Sequence, residues 1–159
     1  MAMTTSPRPS SPSIRHRVSV PASYAGLKDL FDECLRFADR HEIGDDVRHD
    51  MYVAIEELVS NVIRHGGRPG IRPRVTVSAA LTPGTLRVTV ADNGPAFDPL
   101  SVPAPDLTQP IETRDIGGLG IHLVRSLMDD VQYRRQHGRN HVRLRKRLRA
   151  AGSGERTPE

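Results

Sequence analysis

Glu57 and Asn61 stand four residues apart in the stretch IEELVSNVIRH, so on a helix they share a face and border the apolar arc of Met51, Ala54, Leu58 and Val62. That placement turns them toward a pocket wall. The amide oxygen of Asn61 can ligate hard Mg²⁺, while the carboxylate of Glu57 can accept a proton or hold a water or hydroxyl. Taken alone, a Glu/Asn pair at this spacing belongs more often to a solvated helix face. A second cluster, VTVADNGPAF, carries Asp92 in register with Leu86, Val88 and Val90. Its carboxylate then points to the covered side of a sheet, where an unpaired charge is costly and a donor such as a purine amine would be welcome. Gly94 would let a flat base approach the backbone. Asp-Asn-Gly is equally a strong turn signal in its own right. The third cluster, Asp115-Ile116-Gly117-Gly118-Leu119-Gly120, runs into an apolar helical pattern. Glycines before a helix N-terminus expose N–H groups to an anion and set the helix dipole behind them. Each signal is modest, yet in this order the three describe one nucleotide site.

The elements that must position these residues follow from periodicity. Ile14, His16, Val18 and Val20 alternate with polar residues, as in a strand that Pro21 ends. Leu27, Leu30, Phe31, Cys34, Leu35 and Ala38 repeat at helical spacing over about residues 22–41. Gly44 breaks that helix, Asp45 or Asp46 can cap the next, and Gly66-Gly67 stops it. A hairpin follows, with Val75 to Leu81 and Leu86 to Val90 joined by Thr82-Pro83-Gly84. The segment from Pro95 to Ile116 holds five prolines and reads as a lid or a disordered loop. Helical spacing returns with Ile121, Val124, Leu127, Met128 and Val131, and a closing hairpin over about 131–149 turns at His137-Gly138-Arg139-Asn140. The order β-α-α-β-β-α-β-β predicts an α/β two-layer sandwich: a mixed, mainly antiparallel sheet covered on one face by three helices.

Composition narrows the function classes. The chain of 159 residues suits one domain, taken as residues 14–149, with small polar tails at 1–13 and 150–159 that are expected to be disordered. One cysteine excludes a disulfide framework and suggests a reducing, cytoplasmic setting. No apolar run reaches the roughly 20 residues of a membrane span. The net charge of +4 raises nucleic-acid binding, but with three Tyr, three Phe and no Trp there is little to stack bases on, so no direct nucleic-acid partner is expected. Alternation explains the arginines of the last strand as its outward side.

Over roughly Ile14 to Leu148 the chain resembles the GHKL ATPases of the Bergerat fold, and within them the anti-sigma factor serine/threonine kinases of the RsbW and SpoIIAB type. ELVSNVIRHG (57–66) resembles their N box, DNG (92–94) their G1 box, GGLG (117–120) with RSLMDDV (125–131) their G2 box and following helix, and GRNHVRL (138–144) their closing strand. The resemblance implies Glu57 as general base and Asn61 as the Mg²⁺ ligand. It implies nucleotide contacts from Asn61, His65, Asp92, Gly94, Phe97, Gly117, Gly118, Leu119 and Gly120. It further implies an ATP-using homodimer that sequesters a sigma factor and phosphorylates a STAS-domain anti-anti-sigma factor. Ala96 stands where the G1 box usually has a second glycine, and Ile116 where a polar or basic residue often precedes the G2 glycines. Those departures motivate the alternative of a nucleotide-responsive binding or scaffold protein without productive kinase activity.

Overall fold

The computed structural model describes residues 13–103 and 119–148. β1 (Ile14–Pro21) leads into α1 (Tyr24–Arg40) and α2 (Asp45–His65), then β2 (Arg74–Thr82) and β3 (Thr85–Asp92). A short 3-10 turn at Pro99–Ser101 precedes α3 (Leu119–Leu127), β4 (Asp130–Gln136) and β5 (Arg139–Arg147). The expected α/β sandwich is present, with sheet order β1-β2-β3-β5-β4. Every pairing among the described strands is antiparallel, where the sequence reading expects a mixed, mainly antiparallel sheet. The connectivity explains this. With two helices between β1 and β2 the chain reverses three times, and β5 inserts between β3 and β4, so no two parallel strands become neighbours.

Local chemistry sets the helix ends. Ser23 caps α1, its hydroxyl accepting from the Gly26 amide at 3.0 Å. For α2 the cap position falls on Gly44, and Asp45 and Asp46 instead occupy the first turn, where the helix dipole favours acids. α3 is shorter than its apolar spacing suggested: Met128 follows it and Val131 is already in β4. Lys146 enforces that stop, donating to the Leu127 carbonyl at 2.5 Å while pairing with Asp50 of α2 at 2.6 Å. Leu30, Val59, Val75, Val124 and Leu144 are fully buried where the helices meet the sheet. Pro83-Gly84 turns the first hairpin with Gly84 at φ +73°, the arrangement of a type II turn. No helix among the described residues is long and apolar enough to cross a membrane.

Candidate nucleotide-binding site

β3 ends on Asp92 with its carboxylate on the helix-covered side, as strand alternation requires. It is 8% exposed, and its Oδ1 accepts from the Gly94 amide at 2.8 Å and from Nδ2 of Asn140 at 3.0 Å. Among the described residues its Oδ2 makes no hydrogen bond, and it borders a cavity of about 180 Å³ between α2 and the sheet. Asn61 and His65 of α2, Phe97 after β3, and Asn140 of β5 also line it. Ligand pockets usually hold ~300–1,000 Å³, so as bounded by the described residues this one has room for a group the size of a base rather than a whole nucleotide.

The backbone at Gly94 is held close. A Cβ there would lie 2.9 Å from Oδ1 of Asp92 and 3.1 Å from the Gly66 carbonyl oxygen, so the end of α2 and the turn after β3 touch only because the residue is glycine. Asn93 points elsewhere, accepting from the Arg74 amide at 2.7 Å.

Asn140 is the residue sequence reasoning missed. The sequence pattern puts it in the hairpin turn, but the turn is the pair His137-Gly138, at φ +50° and +74°, and Asn140 lies in β5 directly opposite Asp92. Only 4% exposed, it donates to Asp92 and to the Pro95 carbonyl at 2.8 Å. It accepts from the Phe97 amide at 3.2 Å, the Tyr133 hydroxyl at 2.9 Å and Arg135 at 2.9 Å, and Arg135 also donates to the Gly94 carbonyl at 3.0 Å. One amide therefore fixes both the carboxylate and the loop that walls the cavity. The available signal was alternation: Asn140 shares parity with Val142 and Leu144, a polar residue in a buried series.

The other expected residues are less tightly gathered. The side-chain oxygen of Asn61 faces Arg64, which donates to it at 3.1 Å. Glu57 lies one turn back along α2, off the cavity lining, against α3: a Cβ on Gly120 would come 2.0 Å from its Oε2. Leu119 and Gly120 are therefore helical, not part of a loop ahead of the helix, and Leu119 is 47% exposed. Gly117 and Gly118, Ile116 and most of the expected lid lie outside the described residues.

The donor set fits a purine nucleotide: a buried carboxylate with a free oxygen, an apolar wall from Leu58, Val62 and Val90, and a glycine that lets a ring approach. It fits Mg²⁺ in the manner of a cation carried by phosphates, with one protein oxygen on Asn61 and no protein cage; no cluster of three or more acidic, His or Cys ligands occurs among the described residues.

Fold and site thus define an ATPase-type nucleotide-binding domain with helices over one face of its sheet. Residues 20–146 match the histidine kinase-like ATPase domain, and the chain belongs to that family. It is similar to the serine/threonine-protein kinase BtrW of Bordetella bronchiseptica, at 29% identity over 98 residues, covering 62% of this chain and 69% of that protein. It is also similar to the serine-protein kinase RsbW of Bacillus cereus, at 34% identity over 98 residues, covering 59% of this chain and 60% of that protein. The fold matches the RsbU and RsbW domains of Rv1364c from Mycobacterium tuberculosis with a TM-score of 0.61 and 18% identity, over 87% of this chain and 33% of that one. The chain spans about 60–70% of the curated relatives it matches.

Proposed function

We propose that this domain is an ATP-dependent serine/threonine protein kinase and anti-sigma factor. It would sequester a sigma factor and phosphorylate a STAS-domain antagonist, working in the cytoplasm as a homodimer. The observation that carries the nucleotide half is Asp92, buried, oriented by Asn140 and Gly94, and keeping one oxygen without a partner among the described residues, in the lining of the cavity. Likeness to BtrW and RsbW supports the kinase half.

In this reading Asp92 accepts the exocyclic amine of adenine, and Phe97 and His65 close the rim of the base pocket. Asn61, which now accepts from Arg64, would be the residue that holds Mg²⁺, and that ion would supply neutralisation of phosphate charge when bound with the nucleotide. Glu57 orients the acceptor hydroxyl and takes its proton. Its contact with Gly120 sets that carboxylate at the start of α3, the helix that the Gly117-Gly118 stretch leads into in sequence, which supports this role. Positioning and electrostatics dominate such a transfer.

The test is transfer of label from ATP to a STAS-domain antagonist. Wild type should phosphorylate it, and Glu57→Gln should bind nucleotide normally while losing at least ~100-fold in transfer. Full transfer by Glu57→Gln would remove Glu57 from its role. Tight ATP binding without transfer by the wild type to any such partner would select the scaffold reading.

A further inference from the structure

The face of the sheet turned away from the helices carries a pattern the nucleotide site does not use. Strand register places Arg15, Ala80, Arg87 and Arg145 in one row across β1, β2, β3 and β5, and Arg17, Ser78, Thr89 and Arg143 in the next. These residues line a trough of about 860 Å³. Its walls are arginine, Arg15 and Arg17 on β1 against Arg87, Arg143 and Arg145 on β3 and β5. Its floor is small: Ser78, Ala80 and Thr89. The single carboxylate on its lining is Asp130, 4.0 Å from Arg145. The other four arginines have no acidic partner among the described residues, and Arg15, Arg17, Arg87 and Arg143 are exposed.

We propose that this trough is a docking surface for an acidic α-helix of a partner protein. Strands lie about 4.8 Å apart, so the arginine walls stand roughly 10–14 Å from one another across the floor, against a helix diameter of about 10–12 Å. Small floor residues let a helix backbone settle close, and carboxylates on its two flanks meet guanidinium groups that bind them in a bidentate fork. All the cationic side chains in the trough are arginine, with no lysine. No Tyr, Phe or Trp lines it, so the strongest base-stacking platforms are missing from it, and the width admits a helix more readily than a nucleic-acid duplex. A second copy is a poor occupant, because a two-fold contact would set like-charged faces together. The trough and the Asp92 cavity lie on opposite sides of the sheet, so this inference stands independently of the kinase reading.

The experiment uses the full chain and three labelled probes: a 16-residue Glu/Ala helical peptide, its Gln/Ala counterpart and a 16-base-pair DNA duplex. The Glu/Ala peptide should bind, gain helicity by circular dichroism, and weaken as salt rises, while the Gln/Ala peptide should not bind. Arg17→Glu with Arg143→Glu should weaken that binding by about tenfold or more, with ATP affinity and melting temperature unchanged. Arg40→Glu with Arg68→Glu, away from the trough, should leave it intact. The proposal is overturned if the peptide does not bind, or if the off-trough variant loses as much. It is equally overturned if the duplex binds more tightly and is lost with the same trough variant, or if sedimentation shows a dimer that the trough variant abolishes.

Discussion

Replacing Asn140 with alanine tests whether one amide organises the nucleotide pocket. The change removes five hydrogen bonds at once: two donated, to Asp92 and the Pro95 carbonyl, and three accepted, from the Phe97 amide, Tyr133 and Arg135. A neutral hydrogen bond is worth about 0.5–1.5 kcal/mol net and one to a charged group about 1.5–3 kcal/mol. Tyr133 and Arg135 can turn to water, so the cost concentrates on Asp92, Pro95 and Phe97, and a loss of about 3 kcal/mol is expected. For a domain of this size that lowers the melting temperature by roughly 6–12 °C. ATP affinity should fall by about tenfold or more, since Asp92 loses the group that aims it, and Tyr133→Phe should cost only about 1 kcal/mol. Scanning calorimetry and titration with a fluorescent ATP analogue measure both. Asn140→Asp sharpens the test. It sets a second carboxyl group about where the amide now meets Asp92 at 3.0 Å, and like charge raises the folded pKa of the pair above its unfolded value. The variant should therefore be most stable in acid and lose stability as pH rises through the raised pKa, opposite to a salt-bridged carboxylate. A melting temperature for Asn140→Ala within about 3 °C of wild type, with unchanged ATP affinity, would refute the hub assignment.

Asp92→Asn keeps an acceptor for Gly94 and Asn140 but turns an amide donor toward the ligand amine; ATP affinity should fall at least ~100-fold by isothermal titration, with the fold retained. In Gly120→Ala the new methyl meets only the flexible end of Glu57, so stability should hold within about 1 kcal/mol, helped by helix propensity, while phosphotransfer falls because Glu57 must swing away. Burial pushes the Cys34 thiol up to about 11, from an ordinary 9.0, so at pH 8 iodoacetamide should label the native chain at least ~100-fold more slowly than the urea-unfolded chain. Because that folded pKa is raised, the stability linked to it is present below about pH 9 and lost as pH climbs toward 11, which alkaline melting curves would register.

Much of this was legible where hydrophobic period speaks clearly. α1 and α2 announce themselves through long apolar stripes with Gly44 breaking between them, and the inward turn of Asp92 follows from its parity with Leu86, Val88 and Val90. What was hidden lies in contacts distant in sequence. Met128 and Val131 fit a helical stripe, but Lys146, reaching the Leu127 carbonyl from β5, closes α3 before them. The glycines at 117–120 read as one phosphate loop, yet Gly120 is spent on the approach of α2 and α3 at Glu57. Arg64 facing the amide of Asn61 is different: it is a local contact at i,i+3 on α2, within reach of helical spacing but not drawn from it.

Asn140 shows why the missed residue mattered most. A four-residue turn ending on it would leave its side chain in solvent. The two-residue turn His137-Gly138, which the left-handed backbone of both residues makes possible, starts β5 two positions earlier and pairs Asn140 with Arg135 across the hairpin and with Asp92 across the sheet. The same register that sends Asn140, Val142 and Leu144 inward sends Arg143 and Arg145 to the trough. Because side-chain direction has a period of two, a slip of one residue would exchange them, burying arginines beside Asp92 and exposing the core. Pocket and basic face are thus two consequences of one hairpin register, and the buried apolar residues of β5 hold both in place.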